Sequence, residues 1–237
     1  MPLRDTEASF GTMREAFGVD SDEPWVLPFH AYLVRGARLT AIVDTGVGPL
    51  PREFLPDAEG HLPGRLAAAG VRPEEVELVV LTHLHVDHVG WNTLFGRARI
   101  VANRVDLEYF REARGDREYF RREVAALELD LVEGEAEIAP GLRLVPAYGH
   151  TPGHMRVEVG GGAAHLLGDV AVHELQLADP GLAYSAEVDA SRAAALRAEL
   201  LPRLADAGVP VALGHLSPDG LGRIRRAGDG FAWEPLR

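Results

Sequence analysis

The chain has 237 residues, of which 46% are apolar and 25% charged; this is ordinary globular usage, enough to bury a sizeable core, and it excludes a disordered or fibrous chain. Thirty-six Asp and Glu against 24 Lys and Arg leave a formal charge of -12, a surface that repels phosphate backbones. The Arg-rich run "REARGDREYFRRE" interleaves Arg with Glu and Asp as a solvated helix face does, so nucleic acid is not an expected partner. With no cysteine, disulfides and thiolate ligands are both excluded, and any metal has to be held by imidazole and carboxylate.

In chain order, "MPLRDTEASFGTMREAFG" lacks a basic start followed by an apolar run and does not read as a signal peptide. No apolar stretch reaches the ~20 residues that span a bilayer. The expectation is a soluble, cytoplasmic protein with no membrane partner, a single domain over residues 1–237 in which 1–24 form an N-terminal extension. "WVLPFHAYLV" and "LTAIVDTG" read as a hairpin about the turn "RGAR". A helix fits "GRLAAAG", closed by Gly70, and "VELVV" is a short apolar strand running into a histidine-rich segment. "ARIVAN" is another strand, and residues 104 to 129 hold one or two helices interrupted near Gly115. "GLRLVPA", "MRVEVG" and "AAHLLGD" follow as strands, the last two joined by a turn at "GGG". A long Ala-rich helix spans Ala190 to Ala207, and "VPVALGH" supplies a final inner strand.

The segment after "VELVV" is "LTHLHVDHVGWN", with His83, His85, Asp87 and His88 inside six positions. Further candidates stand where predicted strands end: His150 and His154 in "YGHTPGH", Asp169 in "LLGD" and His215 in "ALGH". Taken singly, His150, Asp169 and His215 would pass as caps or solvated loop residues. Loops at strand ends, however, gather side chains distant in sequence onto a rigid support. Imidazole and carboxylate without thiolate suit zinc, with Fe, Mn, Co or Ni allowed by ligand type. Six or seven ligands are too many for one tetrahedral ion and suit two ions that share a carboxylate. No GxSxG elbow, phosphate-binding Walker loop or GxGxxG after a strand is present, so serine hydrolase, nucleotide hydrolase and dinucleotide-binding chemistry lack their minimum parts.

The run His83, His85, Asp87, His88 resembles the HxHxDH signature of the metallo-β-lactamase superfamily. The order that follows, "GHTPGH", then "GD", then a late "GH", and the earlier "VDTG" at Asp44, are similar to that superfamily from about Trp25 onward. The resemblance implies an α+β (α/β) fold, a four-layer αββα sandwich with the site at one edge of its two sheets. It also implies one metal on His83, His85 and His150, a second on Asp87, His88 and His215, and Asp169 bridging them, so two Zn(2+) per chain. His154 is expected to be a buried hydrogen-bonding partner that orients a ligand, and Asp44 a structural or orienting group. His30 and His165 fall in strands as core or surface residues, His61 has no assigned role, and His173 is a candidate to face substrate.

The chemistry implied is that of a dinuclear zinc hydrolase in which a metal-bridging hydroxide attacks a small ester and Asp87 orients it and passes a proton to the leaving group. The stretch from "LLGDVAVHELQLADPG" to "ALGHLSPDGLGRI" looks most like the branch of methyl parathion hydrolase-like enzymes and N-acyl-homoserine lactonases. The expected substrate is therefore a lactone, with phosphotriesters as a side activity. Some lactonases of that branch carry a substrate-contacting Tyr three residues after the bridging Asp, where this chain has Val172. Phe29, Trp91, Tyr148 and Tyr184 are candidate pocket walls or core. The alternatives are a mononuclear iron oxidoreductase of the persulfide dioxygenase type, a glyoxalase II-type thioesterase, and a non-enzymatic scaffold braced by its metals. A homodimer is allowed by the sequence.

Overall fold

The computed structural model describes residues 1–36, 39–49, 55, 58–115, 117–216 and 220–236. In chain order the elements are β1 (Pro2–Thr12), α1 (Met13–Phe17), β2 (Pro24–Gly36), β3 (Leu39–Val43), α2 (Leu62–Ala68), β4 (Leu78–Val80), α3 (Val86–Val89), β5 (Arg99–Asn103), α4 (Arg104–Arg114), α5 (Glu118–Phe120) and β6 (Leu129–Val132). They continue with β7 (Ala136–Ala139), β8 (Leu142–Pro146), β9 (Met155–Val159), β10 (Ala164–Leu166), α6 (Glu174–Ala178), α7 (Ala190–Ala207), β11 (Val211–Ala212), β12 (Leu221–Ala227) and β13 (Gly230–Pro235). One sheet runs β1-β2-β3-β4-β5-β6 and the other β13-β12-β11-β10-β9-β8-β7. The chain divides into two compact units, residues 1–8 with 28–133, and residues 9–27 with 134–237.

In the first unit β2 and β3 pair antiparallel from Tyr32↔Val43 to Gly36↔Leu39, the hairpin expected from the sequence; residues 37 and 38 of its turn lie outside the described residues. β3, β4, β5 and β6 are mutually parallel. Strands of a parallel sheet are covered on both faces and so read as unbroken apolar runs, which is why Ile42, Val43, Val79, Val80 and Val101 are buried. The helical stretch breaks at Gly115 as expected, α4 ending at Arg114 and α5 followed by a π-helical turn at Arg121–Ala125. Helix does not extend to Leu129, which opens β6, paired with β5 at the sheet edge. The alternation in "LDLV" is only two periods long and follows on helix-favouring Ala-Ala-Leu-Glu. The N-terminal 24 residues also hold regular structure, β1 and α1.

In the second unit β8, β9 and β10 form the expected meander, and Gly160, Gly161 and Gly162 of its turn all have positive φ. β11 pairs parallel to β10 and antiparallel to β12. The inner strand read from "VPVALGH" is therefore two residues long, and it is followed by the hairpin β12–β13, which the sequence reading left unassigned. Helix α7 has the predicted span. Asp189 caps its start by accepting from the Arg192 N–H at 3.0 Å, and Gly208 at φ 62° closes it. Its buried face packs Leu200, Leu201 and Leu204 into a core with Leu213, Leu216, Ile224 and Trp233. Each fully buried leucine contributes roughly 2 kcal/mol through burial alone. Among the described residues no helix is long and apolar enough to cross a membrane.

Candidate metal centre

In the first unit the backbone leaves β4 with one more sheet-like bond, Leu81 N–H to Val101 O at 2.9 Å, and then turns through residues 82–85 into α3. The turn sets His83 Nε2 3.0 Å from His85 Nδ1 and the His83 ring 4.0 Å from that of His88. His85 leans edge-on against Phe110 of α4, centroids 5.2 Å apart, and the buried Asp106 of the same helix accepts the Leu84 N–H. Asp87 lies in the first turn of α3 with 15% of its side chain exposed, its Oδ2 3.3 Å from His88 Nε2.

His88 is aimed from behind. Its Nδ1 donates to Asp44 Oδ2 at 2.8 Å, which leaves the Nε2 lone pair directed toward Asp87; a carboxylate on one ring nitrogen fixes the tautomer that ligates through the other. Asp44 is the one non-glycine among the described residues with positive φ, at 58°. Asp tolerates that region better than most residues, and Thr82 holds it there through its N–H at 2.8 Å and its hydroxyl. The following loop is welded to the far side of the histidine segment: Thr45 N–H donates to His88 O at 2.8 Å and Gly90 N–H to Gly46 O at 2.8 Å. A Cβ on Gly90 would overlap the Val47 carbonyl, so only glycine lets the two backbones approach this closely.

The second unit holds the other candidates. His150 Nε2 and His215 Nε2 lie 3.2 and 3.3 Å from the same Asp169 oxygen, Oδ2. His154, fully buried, accepts the Asp169 N–H at Nε2 (3.0 Å) and meets Ala147 O at Nδ1 (3.1 Å), the orienting role expected of it. The Tyr184 ring stacks on His150 at 6.1 Å and 8°. Behind them a buried pair, Arg197 with Glu187, organises the loop: Arg197 also donates to Pro180 O and Leu182 O at 2.9 and 2.8 Å. Glu187 in turn accepts from the Tyr184 N–H and from Gln176 Nε2. The loop then returns to the site where Val188 N–H donates to His150 O at 3.0 Å.

His173 accepts the Leu175 N–H at the start of α6 and lies 5.3 and 6.1 Å from the rings of Phe17 and Trp25; burial pulls its pKa below the usual histidine value. Val172 and Phe29 are core. Tyr148 is half-buried under the Arg192 guanidinium at 4.7 Å, and Trp91 is half-buried. His30 is buried in β2 beside Tyr32, His165 half-buried in β10, and His61 donates its N–H to Asp5. Sequence reasoning missed Asp5, Tyr119 and the Arg197–Glu187 pair. Tyr119 on α5 is buried; desolvation, with the Asp87 charge adding to it, pushes its phenol far above the ordinary range, against Arg114 and Arg117. Arg197 had a visible signal, since it occupies the stripe that Ala193, Leu200, Leu201 and Leu204 define on α7.

The donor sets fit metal ions. Each of His83, His85, Asp87, His88, His150, Asp169 and His215 offers an atom to a group able to hold one. In the first unit two ring nitrogens face each other at hydrogen-bond distance, and in the second two imidazoles address one carboxylate oxygen. Nitrogen and oxygen donors without sulfur are a zinc-type set.

The family model of the metallo-beta-lactamase superfamily matches residues 25–215. N-acyl homoserine lactonase AiiB of Agrobacterium fabrum is 30% identical over 160 residues, 56% of this chain and 58% of its own. An N-acyl homoserine lactonase of Bacillus cereus is 30% identical over 144 residues, 54% of this chain and 56% of its own. The chain thus matches less than two thirds of the length of these relatives. Among solved structures, a probable metal-dependent hydrolase from Staphylococcus aureus superposes with TM-score 0.85 at 20% identity, covering 100% of this chain and 96% of the other. AidC, a dizinc quorum-quenching lactonase in complex with its product, gives 0.83 at 20% identity, covering 100% and 93%. This likeness along the whole chain shows the α+β sandwich fold that the sequence implied.

Proposed function

Because the chain belongs to the metallo-β-lactamase superfamily, we propose that it is a metal-dependent hydrolase that binds two zinc ions and opens a lactone or similar small ester. In this reading His83, His85 and His150 hold one ion, Asp87, His88 and His215 the other, and Asp169 is shared. The observation that carries it is the Asp169 oxygen flanked by two imidazole nitrogens at 3.2 and 3.3 Å, the arrangement a shared carboxylate requires. Bound zinc supplies a water acidified toward neutral pH and a Lewis acid for the ester carbonyl.

The chain's own groups do the rest. Asp44 keeps the His88 proton on Nδ1, and His154 fixes the Asp169 backbone. Tyr184 shields one face of His150 from water. Asp87 is more exposed than Asp44 or Asp169, which suits it to hold a proton and deliver it to the departing alkoxide. A formal charge of -12 disfavours anionic substrates and favours neutral ones. The lactonase names of the relatives support a lactone over other esters. The same reading takes residues 1–237 as one functional domain of a cytoplasmic protein, free or homodimeric, whose partner is a diffusible small molecule.

Elemental analysis of the purified protein, with turnover measured on lactones, phosphotriesters, thioesters and a chromogenic β-lactam, tests this. The expected result is about two zinc ions per chain and the highest kcat/KM on a lactone. About one iron per chain, with oxygen consumed on a persulfide, would replace this reading by the dioxygenase one.

A further inference from the structure

We propose that Asp5, in β1, is a positioning residue for the metal centre: its carboxylate fixes the loop 44–48, and through that loop the direction of His88. The proposal rests on the reading of His88 as a metal ligand. Asp5 is fully buried, and its two oxygens divide their work. Oδ1 accepts the N–H groups of His61 and Leu62 at 2.7 and 2.6 Å, at the start of α2. Oδ2 accepts the Val47 N–H at 2.8 Å. The loop is built around this carboxylate: Gly46 has φ 68°, and a Cβ there would overlap Asp5. The other side of the same five residues grips the ligand segment, Asp44 on His88 Nδ1, Thr45 on His88 O and Gly46 on the Gly90 N–H.

Asp5 therefore sits one loop behind a metal-directed imidazole. A carboxylate needed only to start α2 would have both oxygens on that helix, whereas here one is committed to Val47. The matched family region begins at residue 25, and β1 with Asp5 supports it from outside that region. Outer partners of metal ligands typically affect metal affinity or activity by about 10- to 100-fold.

Asp5→Asn separates the two tasks. The amide oxygen can stay on His61 and Leu62 while its NH2 faces the Val47 N–H, donor against donor. Leu66→Ala, in the buried face of α2, serves as the control for stability loss alone. The readouts are zinc affinity by titration of the metal-free protein, kcat and KM separately, and thermal midpoint. Asp5→Asn is expected to weaken zinc binding and kcat by about tenfold or more with KM little changed, while Leu66→Ala at an equal or larger drop in midpoint binds zinc as the parent does. A measurement on the parent protein needs no variant to fold. By reciprocity of coupling, zinc should slow hydrogen exchange of the Val47 amide by about tenfold. Unchanged Val47 exchange, or an Asp5→Asn protein that loses zinc no more than Leu66→Ala does, overturns the inference alone. A parent protein that binds no zinc overturns it together with the metal-centre reading.

Discussion

Removing the guanidinium of Arg197 should be one of the most damaging single changes available in the second unit. Its side chain and that of Glu187 are 0% and 1% exposed, so solvent screening does not soften the loss. Arg197→Met keeps most of the volume but leaves a buried carboxylate uncompensated, which costs about 3–5 kcal/mol. The Pro180 carbonyl loses its Arg197 donor as well, and the Leu182 carbonyl keeps only Gln176 Nε2. At about 2–4 °C per kcal/mol for a chain of this size, the midpoint should fall by roughly 10 °C. The reasoning makes a sharper demand on the double variant. In Arg197→Met with Glu187→Gln the stranded charge is gone, and although the one amide oxygen can keep only one of the two donors, the Tyr184 N–H or Gln176 Nε2, part of the loss should return. Urea unfolding of the parent, both single variants and the double variant, all metal-free, closes the cycle. If Arg197→Met costs under 1 kcal/mol, or if the double variant is no more stable than Arg197→Met, the loop is not held by a buried ion pair.

Chelation and return of zinc should move stability reversibly: at a free zinc concentration of 100 times Kd the folded state gains about 2.7 kcal/mol, and a midpoint indifferent to chelator would count against any zinc site. Gly90→Ala must push the Val47 carbonyl away, an overpacking cost of about 1–3 kcal/mol; urea unfolding reads it, and a neutral result would mean the loop 44–48 moves freely. His173 carries a pH signature. Burial lowers its folded pKa below the ordinary value of about 6.5, so the unfolded chain binds the extra proton first. Its contribution to stability is fully present above the unfolded pKa and is lost as pH falls through the folded one. His173→Asn keeps an acceptor for the Leu175 N–H and should flatten this acid-side slope in thermal midpoints measured from pH 7 to pH 5; an unchanged slope would assign the proton elsewhere.

What the sequence discloses and what it hides follow from distance along the chain. Five candidate ligands, His83, His85, Asp87, His88 and His150, stand in short runs, "HLHVDH" and "GHTPGH", where residue type and spacing carry the information together, whereas Asp169 and His215 are picked out only by their order along the chain. The hairpin β2–β3, the meander β8–β9–β10 and helix α7 are legible for the same reason, their periodicity and turn residues being local. The short edge strands are not: β6 and β7 have four residues each, too few for alternation to rise above chance, and they exist because a neighbouring strand offers a ladder. The supports of the candidate centre are hidden more deeply. Asp44, singled out by its "VDTG" context, reaches His88 across 44 positions, whereas Asp5 reaches Leu62 across 57 with nothing near it to mark it as buried. Arg197 is the instructive exception, a charge placed in an apolar helical stripe. Such a charge can stay buried only if an opposite charge meets it, so the stripe alone predicts a partner carboxylate, and the fold supplies Glu187 ten residues away. Local chemistry thus announces the candidate ligands together with Asp44 and His154, while Asp5 becomes visible only when burial makes an unpartnered charge or a Cβ impossible.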